Sequence, residues 1–251
     1  ILSPLAPSDV PTIRCVGLNY LKHSKGKSTN LQELFELITA VQQAKRTPPP
    51  FPFIFFKPQT TILDHGDNVV IPKIAQDDQA DYEGELDEFI PFGLHSPLRA
   101  FYIELTKIQT IVIGKDAKDV SQENALDYVA AYTVGNDISS RKLQRDPEYA
   151  GRIPQWGFSK GFDTYAPIGP CLLASSLVDD PKNLHLTTIV DGDVRQDESV
   201  DDLLFDCRYL ISYLSQGTTL QKGSIIMTGT PGGKLVSYPR IYIASNLCLK
   251  I

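Results

Sequence analysis

Short apolar runs broken by glycine and proline dominate the pattern of this chain. Residues 13–18, 53–56, 69–71, 110–114, 129–134 and 224–227 read as strands, rich in valine, isoleucine and phenylalanine. Residues 184–190 and 194–195 flank Asp191-Gly192, a hairpin turn signal. Only two stretches carry a long helical period. In 28–43 apolar residues fall at 31, 34, 35, 37, 38 and 41, Ser28 or Asn30 can cap the start, and the proline-rich hinge at 47–52 ends it. In the second, Ser199-Val-Asp-Asp202 resembles a capping box, apolar residues recur at 203, 204, 207, 210, 211 and 214, and Gly217 stops the helix. A shorter helix is expected over 121–126, and 151–161 reads as a loop. Residues 1–12, with several prolines, read as an extended lead-in. Many short strands with two or three helices predict an α+β fold in which β dominates.

Composition changes this picture little. The 251 residues suffice for one large core, and 42% hydrophobic with 22% charged residues is ordinary for a globular protein. A net charge of −6, without any Lys/Arg run, argues against a nucleic-acid or anionic-membrane partner. Cysteines 15, 171, 207 and 248 show no metal-finger spacing and read as reduced thiols. No apolar run is long enough to span a bilayer and no signal-peptide pattern opens the chain. The expected compartment is the cytoplasm, with a mitochondrial location left open.

Three groups of residues carry candidate chemistry. In Asp81-Tyr82-Glu83-Gly84-Glu85-Leu86 the acids recur at every second position, so a strand sends all three to one face with Cα atoms about 7 Å apart. Carboxylates so placed can converge on one hard cation, or simply form a solvated face. Asp137-Ile-Ser-Ser-Arg141-Lys-Leu-Gln144 brings an acid, a base and an amide to a loop or helix start. Thr228-Gly-Thr230-Pro-Gly-Gly is a hydroxyl- and glycine-rich turn after a strand, suited to a carboxylate or enolate oxygen; it lacks the lysine of a nucleotide-binding loop.

Six motifs in order make the chain resemble the fumarylacetoacetate hydrolase family. They are Phe55-Phe56-Lys57-Pro58, Asp81-Tyr-Glu-Gly-Glu85-Leu, Val112-Ile-Gly-Lys115, Gly135-Asn-Asp137-Ile-Ser-Ser-Arg141, Phe158-Ser-Lys160-Gly-Phe162 and the stretch from Leu220 to Pro231. That family includes acylpyruvate hydrolases, oxaloacetate decarboxylases and 2-hydroxyhepta-2,4-diene-1,7-dioate isomerases. The resemblance implies a mixed β-sandwich roll with a few short helices, a homodimer, and one catalytic domain over 13–233. Segments 26–43 and 87–110 interrupt that domain and are atypical, and an atypical tail at 234–251 replaces the closing strands. Two of these segments open on Gly-Lys, at 26–27 and 233–234, as a translated intron would; genuine lineage-specific loops are the alternative.

The resemblance further implies that Glu83, Glu85 and Asp137 bind Mg²⁺, or Mn²⁺ or Ca²⁺ in its place. Lys160 falls on a lysine that contacts substrate, Arg141, Gln144 and Thr230 fall on substrate-binding positions, and His23 is the candidate proton-transfer group. The implied function is a metal-dependent enzyme for small 2-oxo or 2,4-dioxo acids, working by C–C hydrolysis, decarboxylation or isomerisation through a metal-stabilised enolate. One departure supports a different reading. Hydrolytic relatives pair the histidine with a glutamate three residues on, and here that place holds Gly26. The alternative is therefore a family member that binds metal or a dicarboxylate without turnover.

Overall fold

The computed structural model describes residues 4–20, 49–65, 67–77, 79–81, 101–102, 110–190, 193–231 and 248–250. The expected helix at 28–43 lies outside them, as do His23, Gly26, Glu83, Glu85, the Asp191-Gly192 turn and most of the three atypical segments.

The centre is a six-stranded mixed sheet. Its strands are β1 (Ile13–Gly17), β2 (Phe53–Lys57), β7 (Thr110–Ile113), β8 (Val129–Thr133), β11 (Leu173–Ala174) and β14 (Ile225–Met227), in the order β11-β8-β7-β14-β1-β2. β1 and β14 run parallel, with Ile13 opposite Ile225, and the other pairings are antiparallel. Such a sheet, covered on both faces, explains continuous apolar runs such as Ile225-Ile226-Met227. On one face Val16, Ile111, Ile113 and Ile226 pack against the helix Cys207–Leu214. That helix buries Cys207, Leu210, Ile211 and Leu214, the i, i+3, i+4, i+7 stripe read from the sequence. Each of the larger side chains contributes about 1.5–3 kcal/mol by burial. On the other face Ile13, Cys15, Phe55, Ile225 and Met227 meet Ile62, Ala166 and Ile168 of a second layer.

The second layer is made of small ladders. β3 (Ile62–Leu63) lies parallel to β10 (Ala166–Pro167), and β5 (Ala80–Asp81) lies antiparallel to β9 (Ser139–Ser140). β12 (His185–Val190) pairs with both β13 (Asp193–Ser199) and β6 (Phe101–Tyr102). β4 (Asn68–Val70) pairs with β15 (Cys248–Lys250). Two short strands thus fall within the atypical segments. The architecture is the β-rich α+β sandwich that the sequence predicts.

Three local expectations need correction. Ser199 caps only a 3₁₀ turn, Val200–Asp202, by accepting from Asp201 N; the helix starts at Cys207, where the Asp206 carboxylate accepts from Tyr209 N at 2.9 Å. The 151–161 loop contains a one-turn helix, Trp156–Ser159. The 121–126 helix is instead a 3₁₀ turn at Ala125–Tyr128. The lead-in also contributes to the core, since Pro7–Asp9 is a 3₁₀ turn and Val10 is fully buried.

Candidate functional site

β2 supplies the first wall. Its alternation turns Phe55 and Lys57 to the second-layer face, and Lys57 is buried there. The chain leaving β8 supplies the acid. At Gly135 it runs so close to Met227 that a Cβ would lie 2.5 Å from that side chain, so only glycine passes without displacing the neighbour. Asn136 N then donates to Pro167 O and Ile138 N to Tyr165 O. The connection between β8 and β9 buries Ile138 beside Val69, Ile71 and Tyr165 and brings Asp137 to Lys57 and Lys160.

There Asp137 meets two lysines. The Lys57 ammonium donates to Asp137 Oδ1 and, at 3.2 Å, to Ile138 O. The Lys160 ammonium donates to Asp137 Oδ2 at 2.8 Å and to Ser139 Oγ at 2.7 Å. The Ser139 hydroxyl in turn donates to Asp137 O. Lys160 lies just past the helix Trp156–Ser159, and its ammonium sits 5.0 Å from the ring centroids of both Phe55 and Trp156. Both lysine side chains are 0% exposed and Asp137 10%. Among the described residues, two buried ammonium groups thus flank one carboxylate.

A second cluster adjoins the same ladder. Arg141 opens the helix Arg141–Arg145, and its Nε and Nη2 both reach Asp81 Oδ2 at 2.9 Å. Its Nη1 donates to Gln144 Oε1 at 2.9 Å. Gln79 anchors this helix from outside: Arg141 N donates to Gln79 O, and Leu143 N to Gln79 Oε1. Tyr165 hydrogen-bonds Ser140, and burial pushes its phenol up to about 12.

Thr230 follows β14, at the sheet edge where β1 and β8 also end. Asn19 ties these ends together: its Nδ2 donates to Thr228 O and Phe205 O, and its Oδ1 accepts from Phe205 N. Gly229 has φ +96°, and a Cβ there would lie 2.7 Å from Val16 O. Leu18, beside Asn19, holds φ +58°, a strained value for a bulky residue. The Thr230 hydroxyl accepts from Gln196 Nε2 at 3.1 Å.

The structure therefore brings Asp137 to Lys160, and Arg141 to Gln144. It joins Thr230 to neither by a hydrogen bond among the described residues. Sequence reasoning passed over Lys57 and Gln196. The period of two from Phe55 already points Lys57 inward, a signal that was there to be read. As a donor set, Asp137 with the acids at 83 and 85 is all-oxygen and suits a hard divalent ion, and each Asp137 oxygen keeps a second lone pair beside its lysine. Among the described residues no three acidic, His or Cys side chains gather to hold a metal. No helix there is long and apolar enough to cross a membrane.

The sequence profile of the fumarylacetoacetate (FAA) hydrolase C-terminal family matches residues 12–90 and 110–246. A mitochondrial oxaloacetate tautomerase of Arabidopsis thaliana is 36% identical over 88% of this chain and 79% of that protein. A caffeoylpyruvate hydrolase of Neonothopanus nambi is 34% identical over 97% of this chain, which spans 64% of that relative's length, short of two thirds. The crystal structure of a Pseudomonas aeruginosa fumarylpyruvate hydrolase in complex with Mn²⁺ and pyruvate superposes with a TM-score of 0.57 at 28% identity, over 88% of this chain and 78% of that one. With the profile spanning most of its length, the chain belongs to the fumarylacetoacetate hydrolase family.

Proposed function

We propose that this chain is a divalent-metal-dependent enzyme acting on a small 2-oxo or 2,4-dioxo acid. The observation that carries the reading is Asp137 buried between the Lys57 and Lys160 ammonium groups. Asp137, Glu83 and Glu85 would hold Mg²⁺ or Mn²⁺, which supplies a Lewis acid for the negative charge that develops as an enolate forms. The Lys160 ammonium, packed against Phe55 and Trp156, places a dry positive charge for a substrate oxygen. Arg141, steadied by Asp81 and Gln144, orients a substrate carboxylate, as its planar fork allows. Thr230 donates a hydrogen bond to a substrate oxygen. His23 moves the proton. The relatives' names support oxo-acid chemistry, and the Mn²⁺–pyruvate complex supports the metal.

The second reading is the silent binder, which Gly26 in place of the dyad glutamate favours. One experiment separates the two. Purified protein is given oxaloacetate and an acylpyruvate with Mn²⁺ or with EDTA, beside Lys160→Met. Turnover that EDTA and Lys160→Met abolish supports the enzyme. Mn²⁺ binding, read by quenching of Trp156 fluorescence, without turnover of either substrate supports the binder. Absence of both overturns both readings.

A further inference from the structure

The β12–β13 hairpin contains a bulge whose consequence is chemical. The ladder pairs Thr188 with Gln196 and then Ile189 with Val194, so position 195 has no partner across it. Strict alternation would give Val194 and Gln196 the same environment. Across the bulge, Val194 is 40% exposed and Gln196 is 1% exposed. A buried primary amide must find partners for an oxygen and two N–H groups, and Gln196 does so. The Thr188 hydroxyl lies 2.6 Å from Oε1, and Nε2 lies 2.8 Å from Pro231 O and 3.1 Å from Thr230 Oγ1.

The Pro231 carbonyl can only accept, so the amide atom facing it must be the NH₂. That fixes the remaining directions. Thr188 donates to Oε1, and the second Nε2 proton goes to Thr230 Oγ1. The Thr230 hydroxyl therefore accepts on the Gln196 side and must send its own proton elsewhere. Thr230 is 4% exposed, and the described residues offer that proton no acceptor.

We infer that Gln196 is a positioning residue that sets the Thr230 hydroxyl as a donor to a carboxylate or oxo oxygen of a bound 2-oxo acid. The inference rests on the function proposed above and adds to it the hairpin as part of the substrate-orienting apparatus. Without Gln196 the hydroxyl is free to rotate, and its proton is no longer directed at the ligand. A hydrogen bond to a charged ligand oxygen is then lost, an effect of about 10- to 100-fold in affinity.

The test is titration calorimetry of oxalate, a planar dianion resembling the enolate of a 2-oxo acid, in the presence of Mn²⁺. Gln196→Leu and Thr230→Val should each weaken oxalate about 10- to 100-fold, and the double variant should be no weaker than Thr230→Val alone. Thr230→Ser should restore near wild-type affinity only while Gln196 is present. Mn²⁺ affinity measured without oxalate should stay within about twofold, which a general loosening of the site would not allow. Gln196→Glu keeps the shape but turns the donor into an acceptor, and it should lose affinity as Gln196→Leu does. Unchanged oxalate affinity in both Gln196 variants, or losses that add in the double variant, would overturn the inference alone. A wild-type chain that binds Mn²⁺ but not oxalate overturns the proposed function and this inference with it.

Discussion

Asp137 is the one described carboxylate that neutralises two fully buried ammonium groups, so its neutral isostere should be among the most damaging substitutions in the chain. In Asp137→Asn the charge cancelling Lys57 and Lys160 disappears while the volume stays. One oxygen remains as an acceptor for one lysine, and the new amide N–H₂ faces the other, donor against donor. Breaking a buried ion pair from one side costs about 3–5 kcal/mol, because the surviving charge stays desolvated. For a chain of this size, that corresponds to a melting temperature about 6–20 °C lower.

Lys57→Met is the control that gives the argument its sign. It removes the Lys57 ammonium and keeps an unbranched side chain, while Asp137 keeps the 2.8 Å bond to Lys160. Two bonds are lost, the charge-assisted one to Asp137 Oδ1 and the 3.2 Å one to Ile138 O, while Lys160 still neutralises Asp137. Those losses are worth about 2–3 kcal/mol, so melting should fall by about 4–12 °C, less than for Asp137→Asn. Both variants are compared by Trp156 fluorescence and circular dichroism at pH 7 in EDTA, so that bound metal adds nothing to stability. The reasoning fails if Lys57→Met melts as low as or lower than Asp137→Asn. That result would mean that the Asp137 charge is not what holds the two buried ammonium groups in place.

Three further outcomes follow from the same structure. Asn19→Ala removes the side-chain partners of Phe205 O and Phe205 N in the interior and one bond to Thr228 O, and should cost about 3 kcal/mol in urea unfolding. Gly229→Ala forces a side chain onto φ +96° and against Val16 O, so a loss of about 1–3 kcal/mol is expected, with weaker oxalate binding because Thr230 is the next residue. Tyr165 ionises near 10 when unfolded and at about 12 when folded, since burial disfavours the phenolate. Its contribution is intact below pH 10 and is lost as the pH rises towards 12, at about 1.4 kcal/mol per unit. Tyr132 is raised by burial too and shares that slope, so Tyr165→Phe should flatten the fall in unfolding free energy from pH 10 to 11 without abolishing it.

Much of the framework is legible because strand signals here are local. The runs at 13–18, 53–56, 110–114 and 224–227 are apolar enough to have no alternative, and each became a strand within a residue or two of its expected ends. Helix starts were less legible where two caps compete. Ser199 and Asp206 both satisfy the N-cap preference, and the first helical stripe residues at 203 and 204 suit either start. What decides is tertiary: Phe205 N and O are claimed by Asn19, 186 residues away in the chain, so no helix can run through Phe205. The one-turn helix at Trp156–Ser159 is too short to show any period at all.

The site divides along the same line. Asp137 and Lys160 are 23 residues apart and no spacing rule joins them; only the motif resemblance linked them to one chemistry, and the sandwich brings them into contact. Gln196 was out of reach because its inward aim depends on a bulge that alternation does not anticipate. The acidic strand shows most clearly how a local pattern underdetermines a site. Period-two spacing treats Asp81, Glu83 and Glu85 as equivalent members of one row. The β5–β9 ladder breaks that equivalence: it sets Asp81 opposite Ser139 and within reach of Arg141, which takes Oδ2 through two nitrogens. Asp81 is thereby engaged in orienting an arginine, and the same ladder is the one that carries Asp137, two residues before Ser139. An acid that the sequence offers to a metal ion is bonded instead to Arg141, which in the proposed function orients the substrate carboxylate. Asp81→Asn should then weaken oxalate binding while leaving Mn²⁺ affinity within about twofold, the opposite of what an equivalent row of ligands would give.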